Sequence, residues 1–305
     1  MDVRRLGLLR ELAQRGSVTA VAQAMHLTPS AVSQQLKALE REAGVPLTMR
    51  SGRGLALTAP GRMLAETAKD IAVAIENAEA VWAEFVEQPR GEVTVTVFPS
   101  VGQMLLPGAL RRIAEVAGLK VICSDQDPLL PDFADLTPDH DVVVADAPGV
   151  VRTWRERSLV ITELMREPLD IALPEHHPLA SRDALTPSDV VGERWIGVPS
   201  GQPFDRILQR IEAVTGQQAD VSQRFIDNGI VEGMVAAGHG IAILPRYTTR
   251  DHGNGLVTRP LAGVRSERVI WALERPEVAV RPSVRLVVQA LRDEAEQFVA
   301  QHRDD

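Results

Sequence analysis

A short polar and basic stripe near the N-terminus carries side chains that could hydrogen-bond the edges of nucleic-acid bases and neutralise phosphates. Thr28 and Pro29 predict the N-cap and first turn of a helix that ends before Gly44. At 100° per residue, its apolar side chains fall on one face: Val32, Leu36, Leu39 and Ala43. The opposite face carries Ser30, Gln34, Lys37 and Arg41. Alone, this stripe is better explained as an ordinary solvated helix face, since every amphipathic helix has a polar side.

The neighbouring segments would position that helix. A first helix is predicted over residues 3–15, and Ser17 can cap a second. Strand-like residues 47–50 and 55–57 flank a glycine-rich tip that presents Arg53, which predicts a winged helix-turn-helix with Arg53 placed for a minor groove. Arg50 could bind phosphate or brace the fold. The candidate DNA-contacting residues are Ser17, Thr28, Pro29, Ser30, Ser33, Gln34, Lys37, Arg41, Arg50 and Arg53.

Charge is distributed unevenly along the 305 residues. The net charge is −8, yet residues 1–62 carry nine Lys or Arg against four Asp or Glu. The remaining residues carry 24 against 37. Only the first segment therefore has the charge balance expected of a surface that faces phosphates.

The segment GSVTAVAQAMHLTPSAVSQQLKALEREAGVPLTMRSGRGLALTAPG (residues 16–61) resembles the signature of LysR-type transcriptional regulators. It departs from the usual pattern at Thr48, where members commonly have Phe, and at Val21-Ala22, where an Ala-Ala pair is usual. The resemblance implies a cytoplasmic, sequence-specific DNA-binding regulator that responds to a small-molecule effector. It also implies a contact with RNA polymerase if the protein is an activator.

A long helix is predicted from residue 60 to about residue 88, where Pro89 and Gly91 break it. Apolar residues recur at heptad spacing and predict a dimerisation seam: Leu64, Ala68, Ile71, Ile75, Ala78, Trp82 and Phe85. A single buried core helix is the alternative. The resemblance implies an antiparallel dimer linker and a dimer of dimers. A dimer would present two recognition helices to a partly palindromic operator.

Strands alternate with helices after residue 90, which indicates a mostly parallel sheet. The resemblance implies an α/β effector domain of periplasmic-binding-protein type with two lobes. The predicted domains are the winged helix-turn-helix (1–58), the linker helix (59–89) and the effector domain (90–305). Lobe I is expected at about 90–163 and 267–305, and lobe II at about 164–266.

Three predicted strand ends are followed by helix starts, where ligands of parallel α/β sheets commonly bind. The candidate effector-binding residues there are Ser100, Val101, Gly102, Asp146, Ser200, Gly201, Gln202, Phe204, Asn228 and Gly229. Routine helix capping explains each segment singly. Their number, together with the resemblance, favours an effector cleft.

Other chemistry is not supported by the sequence. His176 and His177 are adjacent and have no nearby Cys or further His, so a surface turn is predicted instead of a metal site. No hydrolase elbow or phosphate-binding glycine loop is present, so neither catalysis nor a cofactor is predicted. The N-terminus does not read as a signal peptide, no apolar run is long enough to span a bilayer, and Cys123 is the single cysteine. Cytoplasmic localisation without a membrane partner is therefore expected.

Two other functions remain open from the residues. The C-terminal region could be an enzyme or a transporter-like binding module attached to a winged helix. The whole chain could also be an architectural DNA binder that takes no ligand.

Overall fold

The computed structural model describes residues 1–51, 54–85, 91–249, 253 and 255–302. The N-terminal domain is a winged helix-turn-helix made of α1 (Val3–Arg15), α2 (Val18–Ala24), α3 (Pro29–Ala43), β1 (Thr48–Ser51) and β2 (Gly54–Leu57). The Thr28 hydroxyl accepts a hydrogen bond from the Ala31 amide at 3.2 Å and so caps α3. Gly44 ends that helix at a φ of 72°, a conformation that glycine adopts without strain.

A hydrogen-bonded carboxylate joins α3 to the wing. Glu40 accepts hydrogen bonds from the Leu47 amide at 2.9 Å, the Thr48 amide at 2.8 Å and the Thr48 hydroxyl at 2.8 Å. These bonds account for Thr48, one of the two departures from the family pattern, because its hydroxyl completes the set around Glu40. The start of β1 is thereby fixed relative to the recognition helix.

A single long helix, α4 (Ala59–Phe85), follows the wing. Its first turn lies directly against the backbone before β1: a Cβ added to Gly61 would stand 2.0 Å from the Leu47 carbonyl oxygen. Only glycine permits this approach. Ala65 and Ala68 are buried in the core of the N-terminal domain, so the first half of α4 belongs structurally to that domain.

Lobe I is a five-stranded sheet with helices on its faces. Its elements are β3 (Gly91–Val97), α5 (Pro99–Ile113), β4 (Leu119–Asp125), β5 (Val142–Ala147), α6 (Arg152–Glu156), the first part of β6 (Val160–Pro174), β11 (Glu267–Glu274), α10 (Pro276–Ala279) and α11 (Pro282–Gln301). β3 pairs in parallel with β4 and β5, and β11 runs antiparallel between β5 and β6. The central strand β5 is buried along its whole length.

Lobe II is built on the second part of β6. Its other elements are α7 (Pro187–Val190), β7 (Arg194–Gly197), α8 (Asp205–Thr215), β8 (Asp220–Arg224), α9 (Asn228–Ala236), β9 (Ala242–Pro245) and β10 (Leu256–Arg259). β6 pairs with β11 as far as Pro168 and with β9 from Leu169 onwards. The strand thus passes between the lobes at these two residues, later than the boundary expected at 163/164.

The N-terminal domain rests on lobe I through ion pairs. The Arg15 guanidinium lies 2.7 Å from the Asp139 carboxylate and also donates to the Pro138 carbonyl at 2.8 Å. Arg10 lies 3.4 Å from Glu277, the first acidic residue of α10. α1 is therefore held by charged contacts on one side, while its apolar side fills the domain core.

Among the helices that the structure describes, none combines the length and the apolar composition needed to cross a lipid bilayer.

Candidate functional site

The outward face of α3 is the candidate nucleic-acid interface. All four stripe residues predicted from the sequence are exposed, while the opposite face is buried: Ser30, Gln34, Lys37 and Arg41 outside, Val32, Leu36 and Leu39 inside. The stripe offers hydroxyl and amide groups for base edges and two cations for phosphates.

The other predicted contact residues occupy different positions. Thr28 and Pro29 lie exposed at the start of α3, and Arg50 is exposed on β1. Ser17 caps α2 through a 3.5 Å hydrogen bond from the Ala20 amide. The half-buried Ser33 donates its hydroxyl proton to the Pro29 carbonyl at 2.9 Å, so this group is already engaged within α3. Arg53 lies outside the described residues.

The predicted seam on α4 divides into two parts. Ala68 is buried, and Leu64 and Ile71 pack against the core of this chain's own N-terminal domain. The assignment of Ala68 to the seam is therefore corrected, because its side chain is already covered, whereas Leu64 and Ile71 are partly covered by their own domain. Ile75, Ala78 and Trp82 are exposed further along the helix, and the side chain of Phe85 lies outside the described part.

A cavity of about 340 Å³ lies between the two lobes. Six of the residues predicted from the sequence line it: Ser100, Asp146, Gln202, Phe204, Asn228 and Gly229. They come from the end of β5 and from the start of α5, α8 and α9, so strand ends and helix starts from both lobes meet there.

Four predicted effector residues lie elsewhere. Val101 is fully buried in the lobe I core, because the first turn of α5 directs it towards the sheet. A Cβ added to Gly102 would stand 2.9 Å from the Val97 side chain, so this residue packs against β3. Ser200 and Gly201 lie in an exposed turn, where the Gly201 amide is bonded to Asp205 at 3.3 Å.

Several lining residues were missed from the sequence, among them Phe98, Asp127, Asp227, Glu232, Thr248 and Arg268. Phe98 and Asp227 adjoin segments that were selected, so a wider window around each strand end would have included them. Arg268 lies near the start of strand β11, opposite Glu167 of β6, and lines the cavity. No local sequence signal marks such a residue.

Arg268 forms a buried ion pair at the floor of the cavity. Its Nη2 lies 2.6 Å from the carboxylate of Glu167, its Nε donates to the same oxygen at 2.8 Å, and Nη2 also donates to the Ser100 hydroxyl at 3.0 Å. The guanidinium lies 5.0 Å from the ring centre of Phe98 and 5.6 Å from that of Phe204. The positive charge is thus neutralised and held rigidly by residues of this chain.

Asp146 is the ionisable group most perturbed by the cavity. Burial raises the pKa of its carboxyl to about 6, although the neighbouring Arg268 opposes the shift. The residue is 5% exposed. Burial also raises the pKa of Asp127, again against the effect of Arg268.

The histidine pair singled out from the sequence lies on a surface turn. The Nδ1 atom of His177 accepts from the Leu179 amide at 3.2 Å, and its Nε2 atom lies 3.4 Å from Glu193. Among the residues described, no group of three or more His, Cys, Asp or Glu side chains is placed to hold a metal ion.

Two family models match the chain. Residues 3–62 match the helix-turn-helix domain described as "Bacterial regulatory helix-turn-helix protein, lysR family", and residues 87–296 match the "LysR substrate binding domain". Together they include the α3 stripe and the residues that line the cavity.

Individual proteins are similar over nearly the full length. The Hca operon transcriptional activator HcaR of Escherichia coli K12 is 27% identical over 301 residues, covering 95% of this chain and 98% of HcaR. A mutant of Corynebacterium glutamicum OxyR with bound hydrogen peroxide matches with a TM-score of 0.60 at 21% identity, covering 98% of this chain and 94% of that one. Full-length CbnR in complex with its target DNA matches with a TM-score of 0.54 at 21% identity, covering 97% and 100%.

Proposed function

The chain belongs to the LysR family of bacterial transcriptional regulators, and we propose that it reads DNA with the exposed face of α3. One observation carries this assignment of residues: the polar stripe of Ser30, Gln34, Lys37 and Arg41 is exposed on a helix whose opposite face is buried. Gln34 would contact base edges, and Lys37 and Arg41 would contact phosphates. The complex of the similar protein CbnR with its target DNA supports a DNA-facing N-terminal domain.

The regulator acts as a homodimer or a dimer of such dimers in this proposal. The exposed apolar residues in the second half of α4 support self-association, since Ala65 and Ala68 in the first half are buried in its own domain. Two recognition helices related by a two-fold axis would bind a partly palindromic operator. Because its target is the chromosome, the protein would work in the cytoplasm, and an activating role would involve RNA polymerase.

The interlobe cavity is the proposed effector site. A ligand bound there would contact both lobes at once and would favour one interlobe arrangement over another. The ion pairs between α1 and lobe I offer a physical connection to the DNA-binding domain. The cavity thus acts by shifting populations, and no catalytic step is assigned to it.

The proposed roles on α3 can be separated by substituting one residue of each kind. Gln34→Ala should reduce discrimination between operator and altered sequences, by about 1–3 kcal/mol at one base pair. Lys37→Ala should weaken binding to all sequences alike and reduce the slope of log affinity against log salt by about one. Fluorescence anisotropy with DNA from upstream of the protein's own gene, over a range of salt concentrations, measures both effects.

Matched controls are Gln218→Ala and Lys120→Ala, because both side chains are exposed and lie in the C-terminal lobes. Neither control should change affinity or salt slope. If the Gln34 and Lys37 variants behave identically, or if neither differs from its control, the assignment of roles on α3 is wrong.

A further inference from the structure

The charged groups around the interlobe cavity are mostly acidic. Among the described residues, four that line it carry a carboxyl group, Asp127, Asp146, Asp227 and Glu232, and one carries a cation, Arg268. An anionic ligand would be expected to meet a cation that is free to pair with it. The chemistry of the occupant therefore depends on which of these charges are already satisfied.

Arg268 is not available as a free cation. Two of its nitrogens bond Glu167, which is fully buried, and one also donates to Ser100. Removing Glu167 from this pair would leave an uncompensated buried charge, which is strongly unfavourable. The Arg268–Glu167 pair thus contributes no net charge, and the apolar rings of Phe98 and Phe204 line the cavity beside it.

Asp146, in contrast, is buried without a partner. The residue is 5% exposed and lines the cavity, and within the described part of the chain no group is hydrogen-bonded to its carboxylate. The charges that act on it are Arg268, Asp127, Arg206 and Glu167. A buried carboxylate without a donor is costly, and a ligand that supplies a charged donor relieves that cost.

A second polar atom in the cavity is also unsatisfied. The Thr248 hydroxyl lines the cavity and is buried with no hydrogen-bond partner in the described structure. Asp227 is partly engaged, because its carboxylate accepts from the Ile230 amide at 3.0 Å and caps α9. This cap gives the start of α9 a negative charge of its own, which disfavours an anion there.

From this geometry we propose that the effector is a small amphipathic amine, whose protonated nitrogen donates hydrogen bonds to Asp146 while its apolar part rests on Phe98 and Phe204. The inference deepens the proposed function by giving the chemical class of the effector, and it rests on the cavity being the effector site. The cavity volume of about 340 Å³ suits a small molecule, since ligand pockets range from about 300 to 1,000 Å³.

Calorimetric titration of the full chain with matched ligands tests the proposal. The probes are benzylamine, benzyl alcohol and benzoate, which share one ring and differ in the head group, followed by a panel of other primary amines with their alcohols and carboxylates. Amines should bind more tightly than their matched alcohols and carboxylates. Asp146→Asn should weaken amine binding about tenfold or more and leave alcohol binding nearly unchanged.

The pH dependence provides an independent readout. Because the pKa of Asp146 lies at about 6, lowering the pH from 7.5 to 5 neutralises the carboxylate and should weaken amine binding. Asp125→Asn is the matched control: Asp125 ends β4, is exposed and does not line the cavity, so this variant should bind amines as the unaltered chain does. Thermal unfolding of Asp146→Asn checks that the variant is folded.

Tighter binding of the carboxylates, amine binding unaffected by Asp146→Asn, or no amine binding at millimolar concentration would each overturn the amine assignment. These outcomes differ from a failure of the proposed function. A chain that protects its upstream DNA but prefers carboxylates refutes only the ligand class, whereas a chain that binds amines but no DNA refutes the regulatory role.

Discussion

Glu274, at the end of β11, shows how a single buried acid can control the pH dependence of stability. It is 3% exposed, and burial raises the pKa of its carboxyl to about 7 from 4.5. The folded chain therefore holds an extra proton between these values. The free energy of unfolding contributed by this residue is highest below pH 4.5, falls as the pH rises through this window, and is lowest above pH 7.

Glu274→Gln should raise the free energy of unfolding by about 1–3 kcal/mol at pH 8 and change it little at pH 4.5. Urea unfolding at the two pH values measures the difference. Glu267→Gln, at the other end of β11, is the control. Burial alone would raise the pKa of Glu267, but hydrogen bonds from Arg265 and Arg166 lower it overall. The shift in its pKa is therefore opposite in sign to that of Glu274. A Glu274 variant that is equally destabilised at both pH values would contradict this account.

The sequence predicts the residues of the α3 stripe better than those of the interlobe cavity. The α3 stripe follows from helical periodicity, because buried and exposed positions of one amphipathic helix are fixed by local spacing. The cavity depends on residues brought together from distant elements. Asp146 and Ser100 could be selected at strand ends, but Arg268 lies within β11, and only the antiparallel pairing of β11 with β6 places it beside Glu167.

At the scale of elements, the helices were predicted closely and β6 was not. Local signals such as Thr28-Pro29 and Gly44 mark the ends of α3. Residues 160–168 carry Glu and Arg among their apolar residues and do not alternate regularly. These charges are accommodated by partners on β11, as in the Glu167–Arg268 pair. The local sequence pattern of β6 does not show which strand will pair with it.

The second half of α4 is predicted to mediate self-association. Ile75 is 42% exposed on the side that the heptad pattern assigns to a partner helix. Ile75→Glu would place a carboxylate in an apolar helix–helix contact, so it should shift the protein from dimer towards monomer and weaken operator binding. Light scattering coupled to size-exclusion chromatography measures the mass.

Asn77→Glu is the matched control, because this exposed residue lies on the opposite side of α4 and the substitution adds the same charge. It should leave the mass unchanged. If the Ile75 variant keeps the mass and the operator affinity of the control, α4 does not mediate self-association through this face.

On the scale of the whole molecule, charged contacts join the DNA-binding domain to lobe I. Glu277 is 5% exposed on its side chain and pairs with Arg10 across this interface, and Arg275 lies 3.9 Å from Glu11. Because these groups are largely shielded from water, they are less screened than surface pairs. An effector that moves lobe I would move the docking surface of α1 with it.

A double-mutant cycle tests whether this interface holds in solution. Arg10→Gln and Glu277→Gln should show a coupling of about 1 kcal/mol in the free energy of unfolding. The control cycle combines Arg10→Gln with Asp189→Asn, whose carboxylate pairs with Arg182 in lobe II, and should be additive. Additivity in the first cycle as well would show that α1 is not held to lobe I by this pair.

The central claim is that one chain binds specific DNA and changes that binding in response to a small molecule. A protection footprint of the purified chain on the DNA upstream of its own gene, with and without the amine panel, tests it most directly. Protection of two half-sites about one helical turn, or a multiple of it, apart is expected, with an altered pattern for at least one amine. Uniform weak protection of all DNA, or a footprint that no amine changes, would contradict it.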